Sequence, residues 1–123
     1  MKKILVSGGC GYVGHRLVPR LLQAGYHVVV YDIMFFGEDN FGKQPILNGA
    51  EIQQLTVIRG DIRDTAAFAE ACQNVDVVLH LACISNDPSF ELNPTLGRSI
   101  NYDAFIPLVK LSKKKGIRRF IFA

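Results

Sequence analysis

The stretch Ser7-Gly8-Gly9-Cys10-Gly11-Tyr12-Val13-Gly14 limits the fold more than any other part of the chain, because of what flanks it. Before it, Ile4, Leu5 and Val6 form an apolar run of strand type; after it, Val13, Leu17, Leu21 and Ala24 recur at helical spacing. The glycines therefore occupy a strand-to-helix turn. Glycine there permits positive φ, lets an anion approach the backbone with no Cβ in the way, and brings helix close to strand. The helix adds unpaired N–H groups and the positive end of its dipole. This placement points to a cradle for a dinucleotide pyrophosphate in preference to a plain tight turn. Two glycine registers fit the letters, Gly9-x-Gly11-x-x-Gly14 and Gly8-x-x-Gly11-x-x-Gly14.

Strand signals then alternate with helical ones. Apolar runs at about Lys3–Val6, His27–Tyr31, Leu55–Arg59, Val75–His80 and Arg119–Ala123 read as strands buried on both faces. Helices are expected at about Tyr12–Ala24, ending at Gly25, and at about Thr65–Ala71 with Asp64 as its cap. A third is expected over about Pro94–Lys115, with Asn93 before its start and Gly116 at its end. Repeated β-α-β order requires right-handed crossovers, and hence an α/β fold with a parallel sheet covered by helices. Pro19 falls inside the first helical pattern and predicts a kink without a break, since the apolar spacing continues through Leu21 and Leu22. The passage from Ile33 to Gln54 is too long for a structureless loop, so a short helix near Pro45–Asn48 and packing of Phe35, Phe36 and Phe41 are expected.

The length suits one domain, and an apolar content of 49% is ordinary for a soluble globular chain. No apolar run approaches the ~20 residues that cross a bilayer, and Met1-Lys2-Lys3 leads into strand and turn with no signal-peptide core. A cytoplasmic location and no membrane partner are the resulting expectations. Cys10, Cys72 and Cys83 lack paired C-x-x-C spacing, which predicts reduced, buried thiols and no metal site. Cys10, near a helix N-terminus, is either a thiol of lowered pKa or a small residue filling the turn, and the second is preferred. The net charge of +3 gathers at Lys110, Lys113, Lys114, Lys115, Arg118 and Arg119. Cations in a last helical turn complement the dipole, and with no aromatics interleaved no nucleic-acid partner is expected.

Asp32 closes the second strand at about the ~20-residue distance after the turn at which a ribose-binding acid is expected. Its carboxylate can accept both adenosine ribose hydroxyls and would repel a 2′-phosphate, and no arginine follows at once to hold one, so NAD is favoured over NADP. Gly60-Asp61-Ile62-Arg63-Asp64 follows the third strand and His80-Leu81-Ala82-Cys83 closes the fourth. In an open parallel sheet those ends face the ligand crevice. Asp61 can accept from an adenine amino group while Ile62 covers the ring, and Leu81, Ala82 and Cys83 can line the cofactor with small or apolar surface. His80 reads as a satisfied core histidine, not a ligand.

With Asn101 in the long helix, these segments resemble the extended short-chain dehydrogenase/reductase superfamily and, within it, the NAD-dependent epimerase/dehydratase family, along the chain from Lys2 to Ala123. The resemblance implies a Rossmann-like, doubly wound parallel sheet with strand order 3-2-1-4-5, and it selects the register Gly8, Gly11, Gly14. By the same resemblance, the backbone at Tyr12 and Val13 meets the pyrophosphate, Asp32 and Ile33 the adenosine ribose, and Asp61 and Ile62 the adenine. Leu81, Ala82 and Cys83 match positions on the nicotinamide side, Cys83 standing where alanine is commoner, and Asn101 matches an asparagine near the active site. The implied activity is transient oxidation of a sugar hydroxyl on a nucleotide-sugar substrate, with a tyrosine base, a lysine four residues after it, and a Ser or Thr.

That catalytic pair is not in this sequence: four residues after Tyr12, Tyr26, Tyr31 and Tyr102 stand Arg16, Val30, Phe35 and Ile106. No catalytic residue is therefore assigned. Residues 1–123 are expected to be the N-terminal part of a dinucleotide-binding domain, with the Tyr-x-x-x-Lys segment and substrate domain elsewhere in a longer, homodimeric enzyme. The alternative is a self-contained dinucleotide-binding or NAD-sensing module without catalysis. Ser85 and Asn86 are candidate substrate contacts, although Asp87-Pro88-Ser89 beside them is equally an ordinary turn signal.

Overall fold

A computed structural model describes residues 2–33, 48–82 and 105–122. Their elements run β1 (Lys3–Ser7), α1 (Tyr12–Gln23), β2 (His27–Asp32), α2 (Gly49–Gln53), β3 (Leu55–Arg59), α3 (Thr65–Ala71), β4 (Val77–His80), α4 (Phe105–Lys114) and β5 (Arg119–Phe122). The strands form one sheet in the order β3-β2-β1-β4-β5, with every pairing parallel. This is the expected Rossmann-like order. After β3 the chain crosses back to lay β4 beside β1, so the strand order reverses at the carboxyl ends of β1 and β4, where such sheets open a crevice.

Alternation along the strands feeds two cores. Leu5, Val29, Tyr31 and Val78 pack with Phe68 of α3 and Leu108 of α4 on one face. Ile4, Val6, Val28 and Val30 pack with Val18 and Leu22 of α1 on the other. Burial on both faces holds for β1 and for most of β2, but not for the edges. β3 has no fully buried residue, and on β5 Ile121 and Phe122 are exposed. An edge strand has a neighbour on one side only, and α2, the short helix next to β3, buries none of its residues.

Helix ends follow local chemistry. Asp64 accepts from the Ala67 N–H at 3.1 Å, and Asn48 and Glu51 form a reciprocal capping box at the start of α2. That helix begins just after the segment where a short helix was expected. At the end of α1 the Gly25 N–H reaches the Leu22 carbonyl and the Tyr26 N–H that of Leu21; Gly116 and Ile117 repeat the pattern on Lys113 and Ser112 after α4. These are Schellman turns. α1 runs unbroken through Pro19, whose fully buried ring gains packing that offsets the lost hydrogen bond to His15.

Phe35, Phe36 and Phe41, the start of the long final helix at Asn93 and Pro94, and the candidate site residues Cys83, Ser85, Asn86 and Asn101 lie outside the described residues. Among those described, no helix is long and apolar enough to cross a membrane.

Candidate functional site

Close packing shapes the glycine turn. The Gly8 N–H donates to the Tyr31 carbonyl at 2.9 Å as the chain leaves β1. Its φ is +76°, and a Cβ there would lie 2.7 Å from the Ala82 backbone. A Cβ on Gly14 would lie 2.1 Å from the Gly9 carbonyl oxygen, so the first turn of α1 rests directly on the loop backbone. Gly9 is also confined, since its Cβ would meet the Val30 side chain at 2.8 Å. At Gly11, the N-cap of α1, a Cβ would meet the Gly8 carbonyl oxygen at 3.3 Å, a tight contact but a far milder one than at Gly8, Gly9 or Gly14. Gly11 matters for the side chain it does not bring: α1 has no side-chain cap and no acid in its first turn. A helix start of that kind is suited to an external anion.

The end of β2 ties the turn to the loop after β3. The half-buried Asp32 accepts the Cys10 N–H through Oδ2 at 2.9 Å, while its carbonyl accepts the Gly60 N–H at 2.9 Å. Ile33 follows, also half-buried. The Tyr31 hydroxyl donates to the Asp61 carbonyl at 2.7 Å. Burial first, then the Asp64 and Asp61 carboxylates, push that phenol up to about 12, so it remains a protonated donor. The Asp61 side chain is engaged by Arg63, which donates its backbone N–H to Oδ1 at 2.9 Å and adds its Nε and Nη2. The guanidinium bonds hold the Asp61 carboxyl below the usual carboxylate range. An amino group approaching Asp61 must share that acceptor with the guanidinium or displace it. Ile62 departs from its expected part: its side chain is 4% exposed and sits in the core with Tyr31 and Phe68. What it can offer a ligand is backbone.

On the other side of the turn, Leu81 and Ala82 are half-buried where β4 ends. The Leu81 N–H donates to the Ser7 carbonyl at 2.9 Å, and the Ala82 N–H makes a longer contact of 3.4 Å with Ser7 Oγ. Ser7 Oγ lies 2.7 Å from His80 Nδ1. The serine oxygen can take the Ala82 N–H and still donate to the ring or accept from it, the imidazole tautomer setting which. Burial pushes His80 down to about 4. Its ring stacks on Phe122 and lies near Phe105 and Phe120. This is the core histidine the sequence suggested. Cys72 is likewise inert, its thiol pushed up to about 11 by burial.

The structure thus brings Gly8, Gly11, Gly14, Asp32, Asp61, Leu81 and Ala82 to one edge of the sheet, at the carboxyl ends of its strands. Ser7, Tyr31 and Arg63 join them without having been singled out. For Tyr31 the available signal was a lone aromatic in the valine run before Asp32; Ser7 meets His80 only through the β1–β4 register, which the sequence does not show. Among the described residues no group of His, Cys, Asp and Glu could hold a metal ion.

A parallel sheet of this order with a glycine-lined, uncapped helix start at its switch point defines a Rossmann-like α/β domain. The chain belongs to the NAD dependent epimerase/dehydratase family, whose model matches residues 4–123. It is 28% identical over 123 residues to a UDP-glucose 4-epimerase of Klebsiella pneumoniae, covering 98% of this chain and 87% of that one. To the UDP-glucose 4-epimerase of Neisseria meningitidis serogroup C it is 30% identical over 127 residues, covering 100% of this chain but 36% of that protein. Among solved structures it is similar to the UDP-glucose-4-epimerase of Stenotrophomonas maltophila with bound NAD and formylated UDP-arabinopyranose, with a TM-score of 0.85 and 25% identity. That match covers 99% of this chain and 36% of the solved one, so the chain spans about a third of these longer relatives.

Proposed function

We propose that this chain is the NAD-binding portion of a nucleotide-sugar epimerase or dehydratase that acts by transient hydride transfer from a sugar hydroxyl. The observation that carries the reading is the start of α1: a glycine turn packed so closely that a Cβ on Gly8 or Gly14 would strike backbone, opening a helix whose N-cap brings no side chain to cap it. A pyrophosphate fits that chemistry. Gly8, Gly11 and Gly14, with the backbone of Tyr12 and Val13, would hold it. Asp32 and Ile33 would take the adenosine ribose, and Asp61, with the Ile62 backbone, the adenine. Leu81, Ala82 and Cys83 would border the nicotinamide, Asn101 would lie beside the reacting centre, and Ser85 and Asn86 would touch substrate.

When bound, the nicotinamide supplies the hydride acceptor. The described residues bind and orient; the proton-transferring Tyr-x-x-x-Lys pair and the substrate domain belong to the rest of a longer protein. A nucleotide-sugar substrate, a homodimer and a cytoplasmic setting complete the reading. The first is supported by the UDP-sugar relatives.

NAD is preferred to NADP because Asp32 would set a carboxylate against a 2′-phosphate. Asp32→Asn keeps an acceptor for the Cys10 N–H while removing the charge. Calorimetry on the full-length protein should find NAD bound at least roughly tenfold tighter than NADP, about 1.4 kcal/mol, with the gap narrowing in Asp32→Asn. Equal affinities in the unmutated protein would refute the assignment of Asp32.

A further inference from the structure

Tyr31 and Asp32 are adjacent on β2, and together they join two loops. The Tyr31 carbonyl accepts the Gly8 N–H and the Asp32 carbonyl the Gly60 N–H, each at 2.9 Å. The Asp32 carboxylate holds the glycine turn at Cys10, and the Tyr31 hydroxyl holds the loop after β3 at the Asp61 carbonyl. The two side chains point to opposite faces of the strand, as alternation requires.

The tyrosine is more than filling. Its side chain is fully buried, in edge-to-face contact with Phe68 at 5.5 Å between ring centres. The Gly60 backbone lies against the hydroxyl end of the ring, so closely that a Cβ there would fall 2.5 Å from it. The loop is pressed against the ring at Gly60 and hydrogen-bonded to its tip at Asp61. Those two contacts, with the Gly60 N–H on the Asp32 carbonyl, set where the Asp61 backbone lies. The carboxylate of Asp61 lies outside that packing and is partly exposed, held among the described residues by Arg63 of the same loop. A buried hydroxyl spent on a loop carbonyl rather than on the sheet is an anchor for that loop.

We propose that Tyr31 is a positioning residue for recognition of the adenine ring: its hydroxyl fixes the Asp61 backbone so that the carboxylate meets the exocyclic amino group. The proposal rests on the reading of Asp61 given above and assigns its geometry to a residue that never touches the ligand. Tyr31→Phe removes the hydroxyl and keeps the ring against Gly60 and Phe68, so the fold should survive, as a thermal melt would verify.

The test compares NAD with nicotinamide hypoxanthine dinucleotide, in which an oxygen replaces the adenine amino group. Both are titrated into the full-length protein and its Tyr31→Phe and Asp61→Ala variants. The unmutated protein should prefer NAD by roughly tenfold, Asp61→Ala should bring the two near parity, and Tyr31→Phe should narrow the preference by about threefold or more. A Tyr31→Phe protein that keeps the full preference, or that loses affinity for both ligands equally, overturns the proposal while Asp61→Ala still moves the ratio. No preference in the unmutated protein, or none of it lost in Asp61→Ala, overturns the Asp61 reading and the proposal with it.

Discussion

α1 and α3 both begin a few residues beyond the carboxyl end of a parallel strand, and both have first-turn N–H groups that the helix itself cannot satisfy. At α3 the chain supplies the acceptor: Asp64 caps the Ala67 N–H. At α1 the corresponding position is Gly11, with no side chain, and the acid nearest the turn, Asp32, is spent on the Cys10 N–H just before the helix. One helix is closed by its own sequence and the other is left to be closed by something else. The difference separates a helix start capped by its own side chain from the one proposed to hold the pyrophosphate. Both lie at the same edge of the sheet and both follow loops that β2 anchors, so position alone would not distinguish them.

Acid should disturb the α1 side first. Beneath the glycine turn lies the Ser7–His80 pair, in which His80 is buried neutral and resists protonation down to about 4, against an ordinary value of 6.5. Between those values the unfolded chain takes up a proton that the folded one refuses, so stability is complete above pH 6.5 and falls as pH drops toward 4. The full loss is on the order of 3 kcal/mol. Asp61 acts in a lower window, because its depressed pKa keeps its contribution until the pH falls below the usual carboxylate range. Urea unfolding at pH 7 and pH 4.5 should show the loss, and His80→Asn, which cannot titrate, should flatten it. An unchanged slope in that variant would remove His80 as the cause.

A smaller effect should mark the α3 side. Asp64→Ala removes a cap and should cost about 1 kcal/mol of stability while leaving dinucleotide affinity unchanged. Denaturant midpoints and calorimetry on the same samples check both halves. A loss of affinity matching the loss of stability would mean that the two helix starts are not functionally separate.

Much of this contrast was legible in the sequence because its signals are local. Leu55–Arg59 and Thr65–Ala71 form the strand and helix their patterns predict, with Asp64 as the cap, and the glycines close α1 and α4 where expected. What escaped depends on the partner strand. Tyr31 reaches Asp61, and Ser7 reaches His80, only once the sheet has brought them together. Ile62 read as a ring cover because sequence order does not reveal which way a loop side chain turns, and here it turns inward. β3 and β5 look as apolar as the central strands, yet their exposure follows from being at the edges, a property of strand order rather than of residue type.

The sharpest test makes α1 like α3. Gly11 has φ −80° and ψ −175°, an extended conformation that an aspartate N-cap adopts, and among the described residues a Cβ there would meet the Gly8 carbonyl oxygen, at a tight 3.3 Å that a shift of a few tenths of an ångström relieves. Gly11→Asp should therefore fold with a melting temperature at or near that of the unmutated protein while placing a carboxylate where the pyrophosphate would bind. Titration of both proteins with NAD should find binding in the unmutated protein and a loss of about 100-fold or more, roughly 2.7 kcal/mol, in the variant. NAD binding undiminished in a folded Gly11→Asp protein would contradict the assignment of the α1 start as the dinucleotide site.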